Sequence, residues 1–222
     1  IRGRMKFVMD IIKGCKEVCG DVPVGIRLCG EELLDDRGGN TIEESLQSCL
    51  LAEEAGIDYL SVTAGWQESA VPVITRDVPM GGWLYIAERM KKNLKVPVSM
   101  AYRLFVPELP EKAMSEGKLD IWEMCRPMIA DPLLPIKIME DRQQDIIPCI
   151  ACNVCLARLF RDTELCCTVN PALGHENEVD WGQYGWQKDP VSKKVAIVGA
   201  GIAGLQAGAI IAAKGHDVTI YE

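Results

Sequence analysis

Strand-like and helix-like segments alternate along residues 1–143, and this alternation is the strongest constraint on the fold. Short apolar runs suited to β-strands occur at residues 22–28, 59–63, 96–101 and 119–124. A segment with helical spacing follows each run, and no hairpin signal joins two of them. This order predicts an α/β fold with parallel strands that are buried on both faces and connected by helical crossovers.

Four such units correspond to half of a (β/α)8 TIM barrel, so residues 1–143 are predicted to form a half-barrel, with a small open sheet as the alternative. Helices are predicted at residues 4–18, 41–55, 83–92, 107–116 and 132–140. Thr41 and Glu44 have the spacing of a capping box at the start of the second helix.

The chain contains ten cysteines, and four of them form a metal-binding pattern within residues 144–190. Cys149, Cys152 and Cys155 fall within seven residues, and either Cys166 or Cys167 supplies a more distant fourth thiol. Three clustered thiolates and one distant thiolate are typical of iron–sulfur proteins, whereas structural zinc sites usually pair two Cys-x2-Cys knuckles. A 4Fe-4S cluster is predicted, with structural zinc and unligated thiols as the alternatives. Four cysteines in apolar surroundings are predicted to be core residues instead: Cys15, Cys19, Cys29 and Cys49.

Residues 191–222 have the pattern of the first β-α-β unit of a Rossmann-like domain, preceded by a polar connector at residues 176–192. Gly199, Gly201 and Gly204 follow an apolar strand and open a helix, which is the context that a dinucleotide fingerprint requires. Glu222 ends the second strand, where a carboxylate accepts hydrogen bonds from a ribose 2′-hydroxyl. The segment is predicted to bind FAD or NAD.

Three arginines are predicted at the carboxyl ends of the barrel strands: Arg27, Arg103 and Arg126. Ligands bind at that face of such barrels, and phosphate binds after the last two strands, which suits Arg103 and Arg126. If the ligand at this face is a flavin, the positive charge of Arg27 would stabilise its reduced, anionic ring. The loop at residues 64–82 is longer than an ordinary βα connection, so Gln67 within it is predicted to face the substrate.

Composition excludes several other classes of protein. The net charge of −8 argues against a nucleic-acid-binding surface, and no apolar run is long enough to span a membrane. The N-terminus lacks a signal-peptide pattern, so a cytoplasmic location within a longer polypeptide is expected. The two histidines have no nucleophile partner, so a hydrolytic triad is not supported.

These motifs together resemble the iron–sulfur flavoenzyme branch of the old yellow enzyme family, which includes 2,4-dienoyl-CoA reductase, trimethylamine dehydrogenase and 2-enoate reductases. The resemblance covers essentially the whole chain, from Arg4-Met5-Lys6-Phe7 and Ile26-Arg27-Leu28 to the cysteine run and the glycine turn. It implies an FMN-binding barrel, a 4Fe-4S cluster and an FAD- and NAD(P)H-binding domain, in that order.

The family pattern also implies roles for individual residues. Arg27 matches the arginine near the flavin pyrimidine, and Arg103 matches the arginine after strand seven. Cys125 and Arg126 match the pair that meets the FMN phosphate. The implied cluster ligands are Cys149, Cys152, Cys155 and Cys167, the last chosen because Asn170-Pro171 follows it as in the family.

Two departures from the family pattern leave the substrate open. The Cys152-x2-Cys155 spacing is more like that of trimethylamine dehydrogenase than that of the dienoyl-CoA reductases. Gln67 stands where those reductases have a histidine, and an amide can form hydrogen bonds but cannot act as an acid near neutral pH.

The resemblance implies an enzyme that passes electrons from NAD(P)H through FAD and the cluster to FMN and reduces an activated C=C bond of an enoate, enone or enoyl-CoA. An amine dehydrogenase and a non-catalytic electron-transfer subunit are the alternatives. The expected partners are a small-molecule substrate and either a second copy of the chain or the remainder of the same polypeptide.

Overall fold

The computed structural model describes residues 1–71, 73–177 and 186–222, so part of the predicted connector lies outside the described residues. It divides into two compact units. The first unit comprises Ile1–Thr163 and Cys167–Asn170, and the second comprises Glu164–Cys166 and Pro171–Glu222. Within the described ranges, no helix is both long and apolar enough to cross a membrane.

The first unit alternates helices and strands as predicted. Its helices are α1 (Arg2–Cys19), α2 (Ile42–Ala55), α3 (Leu84–Lys91), α4 (Glu108–Ser115), α5 (Arg126–Ala130), α6 (Leu134–Met139) and α7 (Val154–Leu159). Its strands are β1 (Gly25–Glu31), β2 (Tyr59–Ala64), β3 (Val98–Met100) and β4 (Ile121–Trp122). Short 3-10 turns occur at Asp35–Arg37 and Gln143–Asp145. The sequence did not predict α5 and α7, which are each about one turn or slightly longer.

The four strands form one parallel sheet in the order β1-β2-β3-β4. Strands that are parallel and joined by helices in chain order form a segment consistent with part of a (β/α)8 barrel. Leu60 and Val62 of β2 and Val98 and Met100 of β3 are fully buried in the core that α3 contributes to. This apolar face holds the sheet to its helices and leaves the opposite face to polar side chains.

The predicted capping box at the start of α2 is present. Thr41 Oγ1 accepts a hydrogen bond from Glu44 N at 3.4 Å, and the Glu44 carboxylate accepts one from Thr41 N at 3.2 Å. The helix ends at Gly56, whose φ of 102° lies in the left-handed region where glycine is favoured. Local sequence therefore determines both ends of this helix.

The prediction of four core cysteines is right for Cys49 and wrong for Cys15 and Cys19. Cys49 is fully buried, and burial raises the pKa of its thiol to about 12. Cys15 and Cys19 are exposed, and Cys29 is partly buried. The buried stripe of α1 consists of Met5, Met9 and Ile12, so it ends before the helix reaches either exposed cysteine.

The second unit contains β5 (Lys194–Val198), α8 (Ile202–Ala213) and β6 (Asp217–Tyr221), at the positions the sequence predicts. The two strands are parallel, with Lys194 opposite Asp217 and Val198 opposite Tyr221. The helix crosses between them, as in the first half of a nucleotide-binding unit.

Candidate functional site

The four predicted cluster cysteines line one recess within the first unit. The recess is bounded by Arg126, Ile129, Cys149, Ile150, Cys152, Asn153, Cys155, Cys167, Thr168 and Val169. Cys166 does not line it. The tertiary structure thus brings the distant Cys167 to the three clustered cysteines, although eleven residues separate it from Cys155.

The backbone between the clustered cysteines turns sharply at two residues. Ala151 has a φ of 55° and Asn153 a φ of 57°, both in the left-handed region that non-glycine residues rarely adopt. These turns place the thiols of Cys149, Cys152 and Cys155 around the same space. A hydrogen bond of 3.2 Å between Cys152 Sγ and Thr168 Oγ1 joins this loop to the segment that carries Cys167.

A buried ion pair anchors the chain that leads into the recess. Lys137 Nζ lies 2.6 Å from Asp131 Oδ2, and only 11% and 4% of the two side chains are exposed. Asp131 Oδ2 also accepts a hydrogen bond from Ile147 N, and Lys137 donates to Asp145 O. Because both charges have further hydrogen-bond partners, this pair can hold residues 131–147 in one position just before Cys149.

Burial opposes ionisation of two of the thiols. It raises the pKa of Cys149 and of Cys155, while the charge of Arg126 acts in the opposite direction on both. The pKa of Cys152 is lowered, first by the hydrogen bond with Thr168 and then by the backbone N–H of Val154. Burial thus disfavours the ionised form of a free thiol. Iron bound to the sulfur would supply the positive charge that stabilises the thiolate.

The four thiols of the recess are the ligand type that an iron–sulfur cluster takes. Across the described ranges, no three His, Cys, Asp or Glu side chains are grouped closely enough to hold a single metal ion. A 4Fe-4S cube binds each thiolate at a different iron atom, so its ligands surround a volume rather than converge on a point. Four thiols around an apolar recess match that requirement.

Arg103 and Arg126 converge on the ring of Phe105. Their guanidinium carbons lie 5.1 and 4.9 Å from its centroid, on two residues that are 23 positions apart. Arg103 is buried, has a φ of 59° and donates hydrogen bonds to Val78 O and Arg76 O. Burial, with the like charge of Arg126, lowers the pKa of Arg103. Two guanidinium groups held against one ring form a positive region for which a phosphate is a suitable partner.

Arg126 connects this positive region to the cysteine recess. Its Nη1 donates to Asn153 Oδ1 at 2.6 Å and to Ile74 O at 3.1 Å. Asn153 lies between Cys152 and Cys155, so one guanidinium contacts both the loop of the cysteines and the long loop after β2. Cys125 is exposed at the residue before α5.

Arg27 lies in the middle of β1, so the prediction that it ends the strand is wrong. The strand continues to Glu31 because it pairs with β2 as far as Ala64. Arg27 points to the polar face of the sheet, and its Nη1 lies 3.4 Å from Glu123 Oε2. Ser61, opposite Arg27 on β2, has a buried hydroxyl without a hydrogen-bond partner among the described residues. A buried hydroxyl of this kind calls for a polar partner, which fits a face that receives a ligand.

The long loop after β2 begins in a defined conformation. Gly65 N donates to Glu31 O at 2.7 Å, and Gly65 has a φ of 63°. Ser69 Oγ accepts from Trp66 N and donates to Glu32 O, so the loop is fixed against the end of β1. Gln67 lies next to the exposed Trp66 and is itself exposed.

The glycine turn of the second unit has one position where only glycine fits and one that is open. A Cβ on Gly204 would lie 1.9 Å from Gly199 O, whereas a Cβ on Gly201 would have nothing within 4 Å. Gly199 has a φ of 101°. Glu222 Oε2 accepts a hydrogen bond from Ala200 N at 2.5 Å, which places this carboxylate beside the turn.

Sequence reasoning missed three residues that the fold brings to these positions: Phe105, Glu123 and Asn153. Only Asn153 carried a local signal, because it stands within the cysteine run. Glu123 contacts Ser99 of β3 and Arg27 of β1, and Phe105 contacts Arg126 at the start of α5; no spacing along the chain reveals these contacts.

Comparison with known proteins identifies the family of the chain. Residues 1–145 match the model of the NADH:flavin oxidoreductase / NADH oxidase family. The chain is 41% identical to an NADH oxidase of Thermoanaerobacter brockii, covering 99% of the chain and 33% of that protein. It is 36% identical to a metal reductase of Desulforamulus reducens, covering 100% of the chain and 32% of the relative. A cinnamate reductase of Clostridium sporogenes is 33% identical, and the match covers 100% of this chain and 35% of the relative.

Two solved structures resemble the fold over nearly the whole chain. A 2-naphthoyl-CoA reductase in complex with 2-naphthoyl-CoA has a TM-score of 0.88 and 43% identity, covering 98% of this chain and 33% of its own. A histamine dehydrogenase from Rhizobium sp. 4-9 has a TM-score of 0.85 and 29% identity, and the match covers 98% of this chain and 31% of that enzyme. The chain thus spans about a third of the length of the proteins it matches. It belongs to the NADH:flavin oxidoreductase / NADH oxidase family, in the iron–sulfur flavoenzyme branch of the old yellow enzymes.

Proposed function

We propose that this chain is part of a multi-cofactor flavin oxidoreductase that takes electrons from NAD(P)H and reduces an activated C=C bond. The observation that carries the proposal is the position of Arg126. This residue lines the recess of the four cysteines and also lies with Arg103 against Phe105. A cluster site and a phosphate site that share one guanidinium suit a protein in which a flavin lies next to an iron–sulfur cluster.

In this proposal the ligands of the 4Fe-4S cluster are Cys149, Cys152, Cys155 and Cys167. The walls of their recess are mostly apolar, and Arg126 supplies a positive charge beside the thiolates. Asn153 accepts from Arg126 and so keeps the guanidinium at the edge of the recess. When bound, FMN would supply hydride transfer, while the cluster and FAD would relay electrons from NAD(P)H.

The FMN would be held by Arg103, Cys125 and Arg126 at its phosphate and by Arg27 near its pyrimidine ring. The two guanidinium groups around Phe105 are already oriented by hydrogen bonds to loop carbonyls, so little order has to be gained when phosphate binds. Arg27 is half exposed on the polar face of the sheet, where it can reach a ligand.

The second unit would bind the pyrophosphate of FAD or NAD at Gly199, Gly201 and Gly204. The open space at Gly201 allows a phosphate to approach the backbone, and Gly204 allows α8 to pack on the turn. Glu222 would accept hydrogen bonds from ribose hydroxyls, and its charge would disfavour a 2′-phosphate.

A C=C-reducing function is preferred over amine oxidation because relatives named as reductases are more similar to this chain. The 2-naphthoyl-CoA and cinnamate reductases are 43% and 33% identical, whereas the histamine dehydrogenase is 29% identical. Gln67 favours the amine alternative, since its amide could orient a substrate by hydrogen bonds but could not donate a proton as an acid.

The deciding experiment is an anaerobic assay of the full-length protein with NADH or NADPH. Cinnamate, an enoyl-CoA and an aryl-CoA thioester are tested as acceptors, and dimethylamine and histamine are tested as donors. Turnover of an unsaturated acid or thioester supports the proposal, and turnover of amines alone replaces it with the alternative. Flavin reduction without turnover of either class would favour an electron-transfer subunit.

Arginine variants test the FMN site itself. Arg126→Gln should lose FMN, since it removes one of the two guanidinium groups around Phe105. Arg89→Gln is the matched control, because Arg89 pairs with Glu43 on the surface of α3. Equal FMN content in both variants would contradict the assigned phosphate site.

A further inference from the structure

A row of polar side chains crosses the sheet of the first unit on the face opposite its core. Arg27 lies opposite Ser61 on β2, and Ser61 lies opposite Ser99 on β3. Glu123 follows β4 on the same face, since Ser99 pairs with Ile121 and side chains alternate along a strand. The register thus places Arg27, Ser61 and Ser99 side by side, and Glu123 lies two residues beyond Ile121, the partner of Ser99.

Glu123 contacts two other residues of this row, Ser99 and Arg27. Its Oε1 accepts a hydrogen bond from Ser99 Oγ, and its Oε2 lies 3.4 Å from Arg27 Nη1. The carboxylate side chain is 22% exposed, whereas that of Arg27 is 55% exposed. Glu123 is therefore held in place by the sheet, while Arg27 remains accessible to a ligand. The two residues also line an open recess on this face, together with Ser61.

We infer that Glu123 is a positioning residue for Arg27 and acts as the counter-ion that limits the positive charge Arg27 presents to the flavin. The inference rests on the proposed function, in which Arg27 lies near the flavin pyrimidine. The contacts of Glu123 are with Ser99 and Arg27, so its influence on a bound flavin passes through the guanidinium that it holds.

The physical effect of the pair follows from its charges. A lone guanidinium beside a flavin stabilises the anionic reduced ring, and a carboxylate 3.4 Å from that guanidinium offsets part of its field. The ion pair therefore keeps the flavin harder to reduce than Arg27 alone would. A more negative potential suits a flavin that has to deliver hydride to a poorly activated C=C bond.

The test is the reduction potential of FMN in the full-length holoenzyme. Glu123→Gln removes the charge and keeps a similar shape, so reduced FMN should gain about tenfold in affinity relative to oxidised FMN. That ratio corresponds to about +30 mV for a two-electron couple. Glu116→Gln, which removes a surface carboxylate paired with Lys118, is the control and should leave the potential unchanged. Glu123→Asp keeps the charge and should shift the ratio less than Glu123→Gln does.

An unchanged potential in a Glu123→Gln protein that retains FMN would overturn the inference, as would an equal rise in the control variant. Absence of FMN from the wild-type protein would instead refute the proposed function.

Discussion

At the scale of single residues, the spacing of the cysteines left Cys166 and Cys167 as candidates for the fourth cluster ligand, and the family resemblance implied Cys167. The two residues are adjacent, but only Cys167 lines the recess with the other three cysteines.

We therefore expect Cys167→Ser to lose the cluster and Cys166→Ser to keep it. Iron, acid-labile sulfide and visible absorbance of the anaerobically purified full-length variants provide the measurement. A cluster that survives Cys167→Ser and is lost in Cys166→Ser would show that the recess has been assigned the wrong ligand.

Gly204 shows how one missing methyl group can determine the packing of the turn between β5 and α8. An added Cβ would lie 1.9 Å from Gly199 O, a backbone atom that cannot rotate away. Gly204→Ala should therefore destabilise the β5–α8–β6 unit by about 1–3 kcal/mol. Faster amide hydrogen exchange across residues 194–221 would report the loss. Gly201→Ala, where nothing lies within 4 Å, should exchange nearly as slowly as the wild type.

At the scale of elements, Asp58 joins the end of α1 to the starts of two neighbouring strands. It accepts from Lys16 Nζ at 2.8 Å and from Val24 N at 2.6 Å, and its own N–H donates to Val24 O. The hydrogen bond from Lys16, followed by that from Val24, lowers the pKa of the Asp58 carboxyl in the folded protein.

A lowered pKa has a definite consequence for stability as a function of pH. The stabilising contribution of Asp58 is complete above the pKa of an unfolded aspartate, about 3.9, and is lost as pH falls through the lower folded value. Asp58→Asn should therefore be less stable than the wild type at pH 7, and the difference should shrink in acid. Denaturant unfolding of both proteins at pH 7 and in acid checks this. A difference in the free energy of unfolding that is independent of pH would mean that the charge of Asp58 contributes nothing.

The elements that the sequence predicted well are those whose signals are local. The start of α2 was predictable because Thr41 and Glu44 satisfy each other's backbone groups within one turn. The ends of β1 and β4 were not, because a strand continues only as far as its neighbour provides hydrogen-bond partners. Arg27 consequently lies inside its strand, although the apolar run ends close to it.

At the scale of the whole molecule, the proposal predicts a definite cofactor content. The full-length protein should contain one FMN, one FAD and about four iron and four sulfide per chain. Stoichiometric zinc without iron would refute the cluster, and a single kind of flavin would refute one of the two flavin sites. Anaerobic purification followed by cofactor extraction and metal analysis provides these numbers together.

The sequence by itself determined the alternation of strands and helices, the cysteine run and the glycine turn, because each depends on spacing along the chain. Tertiary structure brings Cys167 to the other three cysteines, as the family resemblance implied. It alone decided that Arg126 joins their recess to Arg103 and Phe105, and that Glu123 pairs with Arg27. The reason is that strand register and loop closure set the distances between residues that are far apart in the chain. Such distances determine where charges compensate one another, and no local pattern encodes them.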